Sequence, residues 1–530
     1  MAIRMTPDHP QEPDPRKRQQ PDRPTQPDQG EQKGPLAGIP IWVRWLPLLL
    51  WFLIKKPKYL LPVLIGLGIY YFLVKPTWNQ ILNFEYTAQD EGYSYGAELS
   101  EEEYDKAYVF EPLSVGAGGV PVRVDLEDFS PQILHQGRQG SCSGWASAYA
   151  ARTISYAQAT GSAPDQVAFS PSFLYNQIAL PRCQGAYLRN AMEFMTKVGA
   201  LPFKDFGYTD ETCQIQPDPY DQQTAAAYKI KGYTRLSRGA NDYQPDLFAV
   251  KQHLAQNAPV VIGMMVGQSF QHAMMGQALW RPSQQEYAGF GLSGHAMCLV
   301  GYDDEVAGGA FRVMNSWGER WGDGGFSWIR YSDFEQFTKE AYGLYPEGRA
   351  NVKKFDRDRL EVTFGLVDNA TTSLIPLEQI NEITFRTERP LRKGDRFKII
   401  VDNAIECYIY VLGMETTGSS YVLFPYTEKH SPYCGITGQR LFPKDYSMEL
   451  DVVGNRDYMA VIVSKDPLNI DQVNRQMNQN TRADYTERLV EALFDQFVLS
   501  CDFDVDGAVR LDCPIGERNA LGMVIEVDKM

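Results

Sequence analysis

The pattern of apolar and polar positions divides the chain into five segments. Residues 1–38 contain eight prolines and six glutamines and almost no large apolar side chains. This composition predicts a disordered arm, because such a segment buries too little surface to offset its ordering entropy. A largely apolar stretch follows at 39–77, then a polar connector at 78–120. Residues 121–348 and 349–530 alternate helical and strand patterns, and we expect each to form a folded domain.

The apolar stretch predicts a membrane segment. Residues 59–74 form an uncharged run, which at ~1.5 Å per residue is about 24 Å long and nears a ~30 Å hydrocarbon core when flanking lysines extend to the interface. We expect one span at about 59–75, with the folded domains outside the cytoplasm, because Lys55, Lys56 and Lys58 then stay inside. The alternative is a hairpin that also uses 41–54 and returns the chain to the cytoplasm.

The two folded regions differ in their periodicity. The first predicts an α+β domain and the second a mostly β domain, whose short apolar runs are punctuated by Gly and Pro. In the first we expect helices over 143–159, 188–198 and 246–256 and strands over 260–266, 296–302 and 326–331. In the second we expect strands over 396–401, 407–414, 421–424 and 459–463 and an amphipathic helix over 482–499.

Charge and composition exclude several functions. The net charge is -15, with 66 acidic residues against 51 Lys and Arg, which argues against nucleic-acid binding. The eight cysteines include no CxxC pair, so zinc is not expected. Asp502, Asp504 and Asp506 alternate as in a calcium loop, but the closing glutamate is missing, and a solvated strand face is the better interpretation. We therefore expect no metal and no cofactor.

Three residues form a candidate nucleophilic site. Cys142 follows Gly140-Ser141 and precedes a helical run, where the helix dipole and free N–H groups favour the thiolate. His295 opens an apolar strand and can serve as the base, whereas His272 lacks such a strand. Asn315, within Asn-Ser-Trp-Gly, can orient the imidazole, and Trp317 can shield that bond from water.

Together these segments resemble the papain-like cysteine peptidases over residues 121–345. That family has the chain order Cys, His, Asn and a glutamine six residues before its nucleophile, where this chain has Gln136. Gly140-Ser141-Cys142 matches the family's run, although Ser143 stands where the family has tryptophan. Cys183-Gln-Gly185-Ala186 resembles its cleft-lining Cys-x-Gly-Gly segment, with Ala186 in place of the second glycine.

The resemblance implies a fold and a mechanism. The fold would have a helical lobe and a β-barrel lobe with the cleft between them. Cys142 would attack the peptide carbonyl, His295 would transfer protons, and Asn315 would orient His295. Gln136 and the N–H of Cys142 would form the oxyanion hole, with Trp317, Gly185 and Ser141 as supporting residues. The connector is too short and Gly-rich for the helical inhibitory prosegment that such enzymes carry.

The remaining cysteines and the second domain give less information about function. The resemblance implies a Cys183–Cys213 bridge; Cys501 and Cys513 could also pair, Cys298 is expected to be free, and Cys407 and Cys434 are left over. Residues of about 380–470, with Leu391-Arg-Lys-Gly-Asp395 and Val422-Leu-Phe-Pro425, resemble a bacterial β-sandwich domain of unknown function that is often appended to peptidases. That likeness carries no function.

The sequence therefore predicts a membrane-anchored, periplasmic thiol endopeptidase of a bacterium. Its partners would be a polypeptide substrate, the membrane through the N-terminal segment, and envelope proteins through the C-terminal domain. One alternative is a catalytically silent peptide-binding scaffold of an envelope complex, because Ser143 and Ala186 depart from the family pattern. A narrower one is a related thiol acyltransferase or cell-wall amidase.

Overall fold

Two hydrophobic cores organise the folded part of the chain. The computed structural model describes residues 3–8, 93–114, 120–345, 359–479, 484–498 and 501–530. One core is built almost entirely from residues before 345, and the second from residues after 359 together with Ile3. The expected membrane segment at 39–77 lies outside the described residues, and among those described no helix is long and apolar enough to cross a membrane.

The first core is surrounded on one side by helices. The central helix runs through residues 142–160, as the small-residue run predicted, and its middle part, Trp145–Arg152, has the wider π-type hydrogen bonding. Alanines and serines cover this helix, which allows close packing on several sides. The longer helices around it are Pro171–Ile178, Leu188–Lys197, Pro219–Ala225, Leu247–Ala255 and Tyr331–Phe337. The shorter ones are Glu101–Asp105, Gln268–Gln271 and Gln284–Tyr287, with single 3-10 turns between.

An antiparallel seven-stranded sheet forms the other side of this core. Its order from one edge is Gly232–Arg235, Thr338–Tyr345, Val260–Val266, Ser293–Asp303, Ala310–Met314 and Phe326–Arg330, with Arg123–Asp125 added beside Ser293–Asp303. The central strand is apolar and buried on both faces. The pairing of the described strands runs from edge to edge without closing, so the barrel expected for this lobe is open.

Two further sheets share the second core. The first contains Ile3–Pro7, Tyr446–Leu450, Arg396–Asn403, Arg359–Asp368, Ala508–Pro514 and Asp502–Asp506, plus Leu374–Ile375 and Gly438–Phe442. The second contains Leu377–Gln379, Thr384–Thr387, Ala520–Asp528, Arg456–Ser464, Cys407–Met414 and Ser420–Phe424, plus Tyr433–Cys434. The helices here are Ile470–Gln479 and Tyr485–Ala492, the latter shorter than the predicted 482–499.

The first strand corrects the interpretation of the N-terminus. Ile3–Pro7 pairs antiparallel with Tyr446–Leu450, so the prediction of a wholly disordered arm over 1–38 is wrong for these residues. Ile3 is fully buried, its N–H donates to the Tyr421 hydroxyl (2.9 Å), and that hydroxyl donates back to the Ile3 carbonyl (2.7 Å). Isoleucine and alternating polar residues suit an added strand, but a five-residue run inside a Pro-rich region gave no visible signal.

The cysteines form two disulfides and leave four free thiols among the described residues. Cys183–Cys213 and Cys501–Cys513 are disulfide-bonded. Among the described cysteines the free ones are Cys142, Cys298, Cys407 and Cys434, all buried. Cys142 is therefore available as a thiol. Asp502, Asp504 and Asp506 lie on the exposed face of their strand, and no group of described residues could hold a metal ion.

The N-terminal strand gives the first prediction. We expect Ile3→Ala to loosen the pairing at Tyr446–Leu450, because truncating a buried Ile typically costs about 2–5 kcal/mol. Hydrogen exchange of the amides in 446–450 should become faster in Ile3→Ala. Arg4→Ala removes an ion pair with Glu449 at an exposed position of the same strand, where such pairs stabilise little, and should have a smaller effect. Equal exchange in wild type and Ile3→Ala would show that this strand contributes nothing to the sheet.

Candidate active site

Cys142 lies at the start of the central helix. It is fully buried, and Ser141 precedes it as the N-cap residue. Backbone N–H groups of Ala296, Ser143 and Gly96 lower the pKa of its thiol, against the larger opposing effect of burial. Ala296 directly follows His295, so the strand that carries the histidine packs against the thiol. The helix start and these N–H groups would all stabilise a negative charge on sulfur.

His295 is held by an amide and a tryptophan. Its Nε2 lies 2.8 Å from the Asn315 side-chain oxygen, and the Trp317 indole is stacked on the imidazole with ring centroids 4.3 Å apart. His295 and Trp317 are both buried. The Nδ1 atom of His295 has no hydrogen-bond partner among the described residues. This arrangement fixes the ring and leaves one nitrogen for a proton transfer.

Gln136 is positioned by three groups. Its side-chain oxygen accepts a hydrogen bond from the Ser316 hydroxyl (2.6 Å), which turns its NH2 toward the cleft. Its backbone oxygen accepts from the Tyr208 hydroxyl (2.6 Å), which also lies 2.6 Å from the Ser141 hydroxyl. Its Nε2 also donates to the Gln139 carbonyl (3.0 Å), so the fully buried amide presents one remaining N–H in a fixed position. A donor fixed in advance is what oxyanion stabilisation requires.

Residues 93–99 of the chain itself occupy the cleft. The Ser94 carbonyl accepts from Gln136 Nε2 (3.0 Å) and from the Trp317 indole N–H (3.3 Å). The Gly96 N–H donates to the Gly294 carbonyl (3.3 Å), and the Gly96 carbonyl accepts from the Ala186 N–H (2.9 Å). We call residues 93–114, of which this is the first part, the strap. The Ser94 carbonyl is therefore bonded to the Gln136 N–H that is predicted to stabilise the oxyanion. While the strap is in place, the cleft is closed to other peptides.

Small residues allow this close approach. A Cβ atom added to Gly96 would lie 2.0 Å from the Gly140 carbonyl oxygen, and one added to Gly185 would lie 2.4 Å from the Gly96 oxygen. Beyond them, Ala97–Glu98 pairs in parallel with Ala186–Tyr187. The alanine that replaces the family's second glycine therefore still makes the backbone contact that the cleft needs.

Burial under the strap sets the protonation of the site. Burial raises the pKa of Cys142 to about 12, and the surrounding N–H groups only partly oppose it. Burial lowers the pKa of His295 to about 4, against the opposing effect of the Asn315 hydrogen bond. At neutral pH, below the thiol pKa and above the imidazole pKa, both groups are uncharged. The strapped site therefore holds a neutral thiol and a neutral imidazole.

The site residues proposed from sequence meet in one place. Cys142, His295, Asn315, Gln136 and Trp317 are clustered at the cleft, and Gly185 lines it. Ser141 caps the helix rather than facing the strap. His272 is exposed, beside Tyr93. Sequence reasoning missed Ser316, Tyr208 and the strap, since no residue pattern in the connector indicated that it enters the cleft.

Comparisons with known proteins agree with this geometry. Residues 120–345 match the family model of the papain family cysteine proteases. A cathepsin B-like protein, CP2, of Giardia intestinalis is 27% identical over 234 residues, covering 41% of this chain and 70% of that protein. A cysteine protease of Blomia tropicalis is 26% identical over 225 residues, covering 41% of this chain and 64% of that protein.

A solved structure is also similar. The cysteine protease xylellain from Xylella fastidiosa matches with a TM-score of 0.40 and 25% identity, covering 48% of this chain and 97% of that one. By sequence, residues 120–345 are similar to the thiol proteases of the papain family. The family match ends at residue 345 and does not address the C-terminal domain.

The glycine contact generates a prediction on thiol access. Gly96→Ala should displace the strap, because its Cβ would collide with the Gly140 backbone. Water would then reach the thiol and imidazole, and the pKa of Cys142 should fall. We expect labelling of Cys142 by a thiol-reactive epoxide at pH 7 to be at least about tenfold faster, with its rate levelling off at lower pH than in wild type.

A second glycine provides the control. Gly207 has no neighbour within 4 Å of an added Cβ, so Gly207→Ala should label at the wild-type rate. Labelling rates can be followed by mass spectrometry of the Cys142 peptide. If Gly96→Ala labels no faster than Gly207→Ala, the strap does not limit access to the thiol.

Proposed function

We propose that this protein is an endopeptidase that acts through Cys142, His295 and Asn315. The observation that carries the proposal is the His295–Asn315 hydrogen bond of 2.8 Å beneath Trp317, with the other imidazole nitrogen unpartnered among the described residues. The free thiol of Cys142 lies against the residue after His295. These groups supply a nucleophile, a base and an orienting amide.

The proposed reaction is acyl transfer to water. The Cys142 thiol passes its proton to His295, and the resulting thiolate attacks the peptide carbonyl while the oxyanion is stabilised by Gln136 Nε2 and the N–H of Cys142. The C–N bond breaks, the leaving amine takes a proton from the His295 imidazolium, and a thioester to Cys142 remains. Neutral His295 then removes a proton from water, the resulting hydroxide attacks the thioester, and the thiolate is released. Asn315 keeps the ring oriented through both halves.

We further propose that the strapped state is latent. The Ser94 carbonyl occupies the same Gln136 donor that the oxyanion would use. Burial of Cys142 and His295 disfavours the thiolate–imidazolium pair, because removing charges from water without compensation is costly. Departure of residues 93–99 would expose both the donor and the thiol. Turnover should therefore be measured in a background where the strap is released.

Two cysteines provide a matched test of the nucleophile. In the Gly96→Ala background, Cys142→Ala should reduce hydrolysis of a peptide library by on the order of 10⁴ or more, the loss seen for a removed nucleophile. Cys298→Ala changes another buried free thiol, on the strand behind the site, and should keep turnover within about twofold. Hydrolysis that survives Cys142→Ala would refute the assignment.

The products of that assay distinguish the alternatives. Mass spectrometry would separate hydrolysis from transfer to another amine. If released variants label at Cys142 but turn over no peptide, the silent peptide-binding scaffold is the better interpretation. A soluble amide donor or cell-wall fragment consumed in place of the peptide library would favour the acyltransferase or amidase.

We also propose membrane attachment through 39–77, outside the cytoplasm. Oxidised Cys183–Cys213 and Cys501–Cys513 are typical of an oxidising compartment. The N-terminal strand bears on the number of crossings. Ile3–Pro7 pairs with Tyr446–Leu450, so these residues share a compartment, and an odd number of crossings between them would separate them. The pairing therefore favours two crossings, 41–54 and 59–75, over the single span. In contrast to the hairpin considered from the sequence, both ends would lie outside the cytoplasm and the Lys55–Lys58 turn inside.

This topology can be tested with two tags. An epitope after residue 2 and another after residue 530 should show the same protease accessibility in intact cells. A tag in the Lys55–Lys58 turn should show the opposite accessibility. Opposite behaviour of the two terminal tags would establish a single span and would require the strand to come from elsewhere.

A further inference from the structure

We propose that the C-terminal domain is a clamp that holds the strap in the cleft. The inference rests on the proposed function, since it assigns the regulation of the same thiol. The strap leaves the cleft at Leu99, forms the helix Glu101–Asp105 and continues as extended chain to Ser114. This second half runs between the protease domain and the C-terminal domain, and it bonds to both.

The backbone of the strap bridges the two domains at Val109. On one side, the Arg235 N–H donates to the Tyr108 carbonyl (2.8 Å) and the Phe110 N–H donates to the Arg235 carbonyl (3.0 Å). On the other side, the Val109 N–H donates to the Lys429 carbonyl (2.8 Å). Val109 is buried. The strap therefore acts as a shared strand between a protease strand and a C-terminal loop.

A side-chain contact from the same loop reinforces this bridge. The Lys429 ammonium donates to the Asp105 carboxylate (2.7 Å), which also lies 3.4 Å from the guanidinium of buried Arg235. The Tyr243 hydroxyl donates to the same carboxylate (3.0 Å). Arg235 and Tyr243 belong to the protease domain, so Lys429 is the contribution of the C-terminal domain to the end of the strap helix.

The end of the strap has a second attachment to the C-terminal domain. The Ser114 N–H donates to the Gln439 carbonyl (2.7 Å), and its hydroxyl donates to the same oxygen (3.1 Å). Leu113 lies against Gly438, where an added Cβ would come within 3.2 Å of it. Between these attachments, buried Glu111 faces His430 (3.8 Å). The C-terminal domain thus contacts the second half of the strap at several points, while the backbone of Leu113 bonds to Gln252 of the protease domain.

The positions of these contacts determine how the strap can be released from the cleft. The cleft half of the strap is held by the rings of Tyr93 and Tyr95, which both pack against Trp317, and by backbone hydrogen bonds at Gly96. Retention depends on these contacts and, in addition, on those that the second half makes outside the cleft. A ligand or partner that moves the 426–430 loop would loosen the strap and expose Cys142 without touching the catalytic residues.

Two lysines allow a matched experiment in the full chain. Lys429→Met removes the contact with Asp105 and two longer contacts, of 3.4 Å each, with Ala240 and Asn241 of the protease domain. Lys231→Met removes a different ion pair between the two domains, with Glu406, that does not involve the strap. The side chains of Lys429 and Lys231 are exposed to the same degree, 31% and 33%. Both variants cost one interdomain ion pair, but only one should affect the strap.

The two lysine variants should differ in the labelling rate of Cys142 and in the hydrogen exchange of the strap. Epoxide labelling of Cys142 at pH 7 should be about threefold to tenfold faster in Lys429→Met, because losing a partly exposed charged contact raises the population of the released strap. Lys231→Met should stay within about twofold of wild type. Hydrogen exchange of residues 93–99 should accelerate in Lys429→Met alone. In the Gly96→Ala background, Lys429→Met should add nothing further.

The outcomes separate the clamp from the proposed function. If Lys429→Met labels and exchanges like wild type while Gly96→Ala is fast, the clamp is refuted and the peptidase assignment stands. Equal acceleration in Lys231→Met would also refute the clamp, since general loosening of the interface would then explain the effect. If strap release follows Lys429→Met but no released variant hydrolyses peptide, the clamp stands and the peptidase assignment falls.

Discussion

The close approach of three backbone segments at Gly96, Gly140 and Gly185 is the constraint on which the rest of the site depends. None of the three positions has room for a Cβ atom while the strap is seated. The approach lets the Gly96 carbonyl pair with Ala186 and places the Ser94 carbonyl on the Gln136 donor. Because the contact is between backbones, it requires glycine at these positions, and Tyr95 of the strap packs beside it against His295 and Trp317.

The electrostatics of the site follow from this packing. A thiol and an imidazole in a dry site prefer their neutral forms, because burial penalises each charge separately. Asn315 offers His295 a neutral acceptor, which orients the ring without forcing it to be charged. The strap therefore controls both access and protonation. Displacement of the strap would open the cleft to substrate. It would also expose the thiol and the imidazole to water, which favours their ion pair.

The sequence predicted the site better than it predicted what covers the site. The strands 260–266 and 407–414 have the predicted bounds because uniformly apolar runs end at turn residues. His295 and Asn315 were identifiable because each stands in a recognisable local context. The strap was not, since two residues of parallel pairing at Ala97–Glu98 create no periodicity. Its place in the cleft depends on glycines far away in the chain.

The N-terminal strand was also not predictable from its own residues, and it contacts the same C-terminal domain as the strap. Tyr446–Leu450 pairs with Arg396–Asn403 only through Glu449 and Met448, which leaves most of its length without a partner in the sheet until Ile3–Pro7 is added. A strand with open backbone groups is completed by any compatible extended segment. The C-terminal domain uses this property twice, since it binds Ile3–Pro7 at a sheet edge and Val109 at the 426–430 loop. Segments before and after the apolar stretch at 39–77 are thus both captured by one domain. This arrangement ties the N-terminal strand and the strap to one body.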